Sequence, residues 1–310
     1  MSESKDSKRP DLMQRVTDQL IEAMEEGRVP WRKPWTEYGP PRNAATGRHY
    51  HGVNILLLTL RQQAGEFEYP LWLTLRQANE RGGRVRKGER GQLVVFSKRT
   101  TEEVRNEKTG EMEEKSRFMW RPFYVFNVAQ LEGVEFIAPS PPARVVSPIE
   151  AAEAVWAGYR TAPPLHHGGD RAFYRRPPRD EIHMPRRERF ESDAAYYETL
   201  FHEAVHSTGA SHRLNRSTLE QAGVFGDANY SQEELVAEIG SAMLMAHAGL
   251  TPDYRNSAAY LQGWLRALKD DRRLIVRASK EAERAVHYIA PASDQEDATP
   301  GATQAGEVEA

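Results

Sequence analysis

The 310-residue sequence predicts an α+β chain of two domains, the second built around a helix that carries the pattern His-Glu-x-x-His. Three observations lead there. Apolar residues recur at helical spacing within 12–24, 53–63, 196–206 and 231–246, whereas 93–99 and 118–128 alternate and are rich in Val, Phe and Tyr, as strands of one sheet require. Between these strands and the later helices lies Ala138-Pro139-Ser140-Pro141-Pro142-Ala143, an extended and fairly stiff linker by composition. A chain of this length can bury a core in each of two domains. The expected organisation is a disordered leader (1–9), a first domain (10–137), a Pro-rich linker (138–147), a second domain (148–290) and a disordered acidic tail (291–310).

Asp11 opens a helix in which Leu12, Val16, Leu20 and Met24 recur every four residues and which closes at Gly27. The prolines of Val29-Pro30-Trp31-Arg32-Lys33-Pro34-Trp35 forbid a helix there. Two indoles around two cations offer flat surfaces for bases and charge for phosphates, the needs of a single-stranded nucleic acid. Burial of the indoles against the first helix is the competing expectation. The turn-rich loop 41–52 adds Arg42 and Arg48 ahead of an apolar helix at 53–63, and a short helix follows near 74–80. Then comes Gly82-Gly83-Arg84-Val85-Arg86-Lys87-Gly88-Glu89-Arg90-Gly91. Its glycines allow tight turns and close backbone approach, so Arg84, Arg86, Lys87 and Arg90 can be presented to a phosphate chain. The loop lacks the Lys-Ser or Lys-Thr ending of a nucleotide-binding loop, which excludes a nucleotidase of that type. The charged stretch 100–117, centred on Lys108-Thr109-Gly110, reads as the long loop of a hairpin.

Beyond the linker, Ser147-Pro148-Ile149-Glu150 supplies a cap, a proline at the first helical position and an acid three residues after the serine. Residues 172–184 read as a strand pair, with Ile182-His183-Met184 as the edge on which an extended peptide would align. Residues 258–268 and 274–289 are amphipathic helices that close the domain.

The net charge of −3 conceals a segregation. From Arg28 to Arg99 there are 14 Lys and Arg against 5 Glu and no Asp, a balance of 14 − 5 = +9, while 291–310 carries five acids and no base. Such asymmetry points to a polyanion-binding face in the N-terminal half. The absence of cysteine excludes disulfides, thiolate ligands and a cysteine nucleophile. With no charged-then-apolar leader and no long apolar run, a soluble, cytoplasmic protein with no membrane partner is expected.

His202-Glu203-Ala204-Val205-His206 places two imidazoles one turn apart on one helix face, where both can reach one metal ion, with Glu203 beside them as general base. Tyr197, Leu200, Phe201, Ala204 and Val205 form the apolar stripe that buries the helix on its other side. Two residues compete as third ligand. His212 completes the string His-Glu-x-x-His-x-x-Gly-x-x-His, for which Met243 or Met245 would form the turn beneath the metal. Glu234, at the start of a second helix, completes a His, His, Glu set, and Glu238 one turn on can orient an imidazole. Glu234 is favoured, because both methionines sit in the apolar run 239–246, where filling core space is their ordinary role. With two His and one Glu on Zn2+, or another divalent metal, a fourth position stays open and peptide hydrolysis follows. Tyr230 and His212 are the candidates for an oxyanion partner.

Phe201-His202-Glu203-Ala204-Val205-His206-Ser207-Thr208-Gly209, continuing to Asn215-Arg216 and then Glu233-Glu234-Leu235-Val236-Ala237-Glu238, resembles the zincin-like metallopeptidase domain of plasmid and phage antirestriction proteins of the ArdC type. In such sequences the position of His212 is often not His. The segments VPWRKPW, PRNAATGRHYHGVNILLL, WLTLRQA, GGRVRKGERG and FYVFNV are similar to that family's N-terminal single-stranded-DNA-binding domain, in the family's order. The resemblance implies an N-terminal α+β domain that binds single-stranded DNA and a C-terminal zincin-like metallopeptidase domain. Three functions remain open: an antirestriction protein that coats incoming single strands, an active metalloprotease acting on DNA-associated proteins or peptides, and a non-enzymatic DNA-binding protein whose metal is structural.

Overall fold

The first helix, α1 (Leu12–Glu25), buries Val16, Leu20 and Met24 along one side, as its four-residue spacing predicts. The computed structural model describes residues 11–31, 38–105, 112–139, 147–221, 228–251 and 258–291. After β1 (Arg42–Asn43) comes α2 (Val53–Ala64), buried along nearly its whole length. Its buried Asn54 gives and takes a 2.8 Å hydrogen bond with the backbone of Val95, so the amide costs little inside the core. β2 (Leu71–Thr74) leads into α3 (Leu75–Glu80), where Thr74 and Gln77 form a reciprocal cap. β3 (Arg84–Val85) pairs with β6 (Leu131–Glu132), and β4 (Gln92–Arg105) and β5 (Met112–Asn127) form a long antiparallel ribbon. The main sheet runs β1-β2-β5-β4.

The ribbon corrects the expected loop at 100–117. Pairing continues out to Arg105 opposite Met112. Backbone hydrogen bonds carry a ladder onward where the alternation of apolar and polar residues stops, so periodicity ended the strands early.

In the second half, α4 (Pro148–Gly158) starts with the expected Ser147 and Glu150 capping box. Three short strands follow, β7 (Leu165–His167), β8 (Phe173–Arg175) and β9 (Glu181–Met184), in the order β7-β9-β8. Ile182-His183-Met184 is therefore the central strand and not the edge, because β7, which periodicity did not reveal, pairs with its other side. The helices α5 (Asp193–Thr208), α6 (Ser217–Gln221), α7 (Ala228–Ala248), α8 (Ala258–Asp270) and α9 (Leu274–Ile289) complete the domain, with α7 packed between α5 and α9.

The two halves do not keep separate cores. The main apolar cluster joins Val16, Leu20, Trp31 and Leu56 to Val205, Ile239, Trp264 and Ile275, because α1 lies on α8 and α2 approaches α9. Polar contacts cross the same seam. Thr17 donates to the Arg272 carbonyl at 2.7 Å, and the Glu283 carboxylate accepts from the Gly52 N–H at 2.9 Å, supplying the cap that α2 lacks locally. Among the described residues, no helix is long and apolar enough to cross a membrane.

Candidate metal centre

Ser192 starts α5 by accepting from the Ala195 N–H at 3.1 Å. Tyr197, Leu200, Phe201, Ala204 and Val205 are all buried, as the apolar stripe requires, and they set the helix so that His202 and His206 look toward α7. The two Nε2 atoms lie 3.1 Å apart. From α7, Glu234 brings one oxygen to 3.6 Å from His202 Nε2 and the other to 3.5 Å from His206 Nε2. One ligand atom from each residue falls within 4.8 Å of the others, a group that can hold a metal ion. A tetrahedral ion bound at about 2.0–2.1 Å separates its ligand atoms by about 3.3 Å. The distances of 3.1, 3.5 and 3.6 Å bracket that value.

The far sides of the imidazoles also face carboxylates. Glu233 Oε1 lies 3.3 Å from His206 Nδ1, and Glu238 Oε1 lies 3.7 Å from His202 Nδ1. A proton on each Nδ1 satisfies these neighbours and leaves both Nε2 lone pairs converging beside the Glu234 carboxylate. Lone pairs and negative charge so gathered call for a cation. Without one, burial opposes charge on His206, but its contacts with Glu233 and Glu234 prevail and raise its pKa. Burial likewise works to raise the Glu234 carboxyl, and the hydrogen bonds of both imidazoles outweigh it and hold the pKa well down. Glu203 is only 8% exposed, and among the described residues its carboxylate has no hydrogen bond or ion pair. That leaves it free to handle a proton.

His212 is not in this group. Its Nε2 sits 3.1 Å from Asp180 Oδ2, on the β8–β9 turn, beside Arg213, which donates to both Asp180 oxygens at 2.8 Å. Met243 and Met245 are 2% and 0% exposed, inside the α7 core. What sequence reasoning missed is Glu233: it is adjacent to Glu234, and only the crossing of α5 and α7 shows which of the two faces Nε2 and which Nδ1.

The candidate nucleic-acid residues divide. Trp31, expected to stack on bases, is 0% exposed and meets Trp264 edge to face at 5.4 Å, so the stacking role is corrected to a core role. The reason is α8, whose Trp264 completes a pocket that local sequence could not announce. Arg42 is half-buried in β1, and Arg48, Arg86, Lys87 and Arg90 are exposed, with no ion pair among the described residues. Arg84 is exposed and pairs with Glu132 at 2.6 Å. Arg32 and Lys33 lie outside the described residues. Exposed aromatics stand elsewhere, on the β4–β5 ribbon: Phe96, Trp120, Phe123 and Tyr124, with Arg121 among them. A signal was available. Phe123 and Tyr124 are neighbours on one strand and point to opposite faces, and the ribbon leaves both largely exposed.

Comparison with known proteins finds a family match in each half of the chain. Residues 10–126 match the N-terminal domain of anti-restriction factor ArdC, and 150–281 match the zincin-like metallopeptidase family. The uncharacterized protein y4eC of Sinorhizobium fredii is 38% identical over 90% of this chain and 91% of its own. A DNA primase TraC of Escherichia coli is 34% identical over 89% of this chain, which spans 27% of the primase. Crystal structures of the antirestriction protein ArdC from plasmid R388 superpose with TM-scores of 0.70 (metal-free) and 0.69 (Mn(II)-bound), at 39% and 38% identity. They cover 90% of this chain and 96% and 97% of theirs. With both regions present in order and nine-tenths of the chain aligned, the protein belongs to the ArdC antirestriction family, an ArdC N-terminal domain followed by a zincin-like metallopeptidase domain.

Proposed function

We propose that the chain is an antirestriction protein of mobile DNA that holds single-stranded DNA on its N-terminal domain and carries a metallopeptidase centre in its C-terminal domain. The convergence of His202 Nε2, His206 Nε2 and Glu234 at 3.1–3.6 Å carries the second part. These residues would hold a divalent metal, and the solved relative bound to Mn(II) supports that class of ion. Two imidazoles and one carboxylate form a donor set suited to zinc. Such an ion supplies Lewis acidity, polarising a scissile carbonyl and acidifying water. Glu203, buried and with no ion pair among the described residues, takes the proton from the attacking water and returns it to the leaving amine. Glu233 holds the Nδ1 proton of His206, and the negative charge of Glu238 faces Nδ1 of His202 from 3.7 Å, which favours a proton there and keeps Nε2 available. An extended peptide would pair with β8, an edge of the small sheet that packs against α5.

For DNA, the exposed Phe96 and Phe123, 5.5 Å apart on the same face of the ribbon as Arg121, supply stacking faces, and Arg121 with the loop cations Arg86, Lys87 and Arg90 supplies phosphate contacts. The test is Glu203→Gln in the full chain. It should retain bound metal and oligonucleotide affinity while losing cleavage of a DNA-bound protein. If the variant protects incoming DNA as well as wild type does, peptide hydrolysis is not how the protein works, and a DNA-binding protein with a structural metal replaces this reading.

A further inference from the structure

Glu233 is 2% exposed and its carboxylate is fully engaged. One oxygen accepts from Arg216 Nη2 at 2.6 Å and faces His206 Nδ1 at 3.3 Å, while the other accepts from Thr218 Oγ1 at 2.7 Å and Arg216 Nε at 3.2 Å. Arg216, itself 4% exposed, spends its remaining donors on the last turn of α5: Nη1 to Thr208 Oγ1 at 2.6 Å and Nη2 to the Val205 carbonyl at 2.7 Å. That is the turn from which His206 projects. A buried ion pair contributes little net stability even when well made, but it tolerates very few geometries. Its effect here is to fix the end of α5 and the plane of one imidazole together.

Gly209 belongs to the same arrangement. Its φ of −73° is open to any residue, so backbone conformation does not demand glycine. Space does. A Cβ there would stand 2.8 Å from Arg216 Nη2, 3.0 Å from its Cζ and 2.9 Å from Leu219 Cδ2. The glycine that completes the string ending at His212 thus makes room for a guanidinium and brings no third histidine to the metal.

The geometry points to Arg216 and Glu233 as positioning residues of the metal centre: seated in the space left by Gly209, the pair holds His206 with its Nδ1 proton on Glu233 and its Nε2 toward His202 and Glu234. This role rests on the metal-centre reading above. Glu238 holds His202 more loosely, at 3.7 Å and half-buried, so His206 is the imidazole whose orientation the fold determines most tightly. Removing a partner that orients a ligand typically costs about 10- to 100-fold in metal affinity.

The test uses the full chain and Co2+ as probe, with affinity from chelator competition, the visible spectrum of the bound ion, and the melting temperature of each metal-free variant. Glu233→Gln and Arg216→Lys should each bind Co2+ about 10- to 100-fold more weakly and alter its spectrum. Gly209→Ala should do the same by displacing the guanidinium, and should add little in an Arg216→Lys background. Unchanged affinity and spectrum in Glu233→Gln and Arg216→Lys, even with lowered melting temperatures, would make the pair purely structural and overturn the proposal. A wild-type chain that takes up no Co2+ removes the metal-centre reading itself, and this role with it.

Discussion

Replacing Trp31 by alanine separates a core tryptophan from a DNA-stacking one, and the structure sets the size of the effect. The indole is 0% exposed and packs edge to face on Trp264 at 5.4 Å, in the seam where α1 meets α8. A buried Trp removes about 200 Å2 from water, worth about 5 kcal/mol at ~25 cal/mol per Å2. A compact unfolded state lowers that figure. Large-to-small changes of this kind cost about 3–5 kcal/mol, part of which here is the aromatic pair, at about 0.5–1.5 kcal/mol. In a chain of this size that is a fall of roughly 5–8 °C in melting temperature. Among the described residues the indole N–H has no hydrogen-bond partner, so Trp31→Phe should recover much of the loss. The assay is a thermal melt of both variants alongside affinity for a mixed-sequence single strand, measured where both are folded. Trp31→Ala should melt early and bind normally. A variant that melts with wild type and binds tenfold more weakly refutes the core assignment.

Bound metal per chain should fall sharply in Glu234→Ala and stay near wild type in His212→Ala, since His212 is held by Asp180; the reverse pattern restores His212 as ligand. Phe123→Ala should cost about 1–3 kcal/mol of single-strand affinity with an unchanged salt slope. By contrast, Arg86→Ala should reduce the slope of log affinity against log salt by about 0.7; a wild-type slope in Arg86→Ala would remove its phosphate contact, and undiminished affinity in Phe123→Ala would remove its stacking role. The Asp180 carboxyl is partly buried, which works to raise its pKa, but hydrogen bonds from Arg213 and Tyr174 prevail and lower it. A lowered folded-state pKa stabilises above the ordinary carboxylate value and is lost as pH falls through the folded value. Asp180→Asn should therefore melt below wild type at neutral pH, with the gap closing in acid, below about pH 4. A gap that persists there, measured by thermal melts across pH, rules out the ionic contribution.

The sequence by itself determined the features that are local. The spacing of His202 and His206, the apolar stripe behind them, the Ser147 cap and the helical repeat of α1 depend only on residues within a turn or two of each other, and all stand in the structure as read. Glu234 was legible as a candidate for the same reason, because its segment reads as a second helix, although α7 starts earlier than expected, at Ala228, and Glu234 sits inside it. Tertiary structure alone decided the rest. Whether Glu233 or Glu234 faces Nε2 depends on how α7 crosses α5, since neighbouring helical residues differ by about 100° around the axis. Trp31 and Trp264 are far apart in sequence and meet only because α1 docks on α8, which turned an apparent stacking platform into core. The string Gly209 to His212 matched a three-histidine pattern, yet the space beside Gly209 was taken by Arg216 and His212 was drawn to Asp180. Periodicity records which face of an element is buried; which partner buries it is fixed by packing between segments that the sequence does not place side by side.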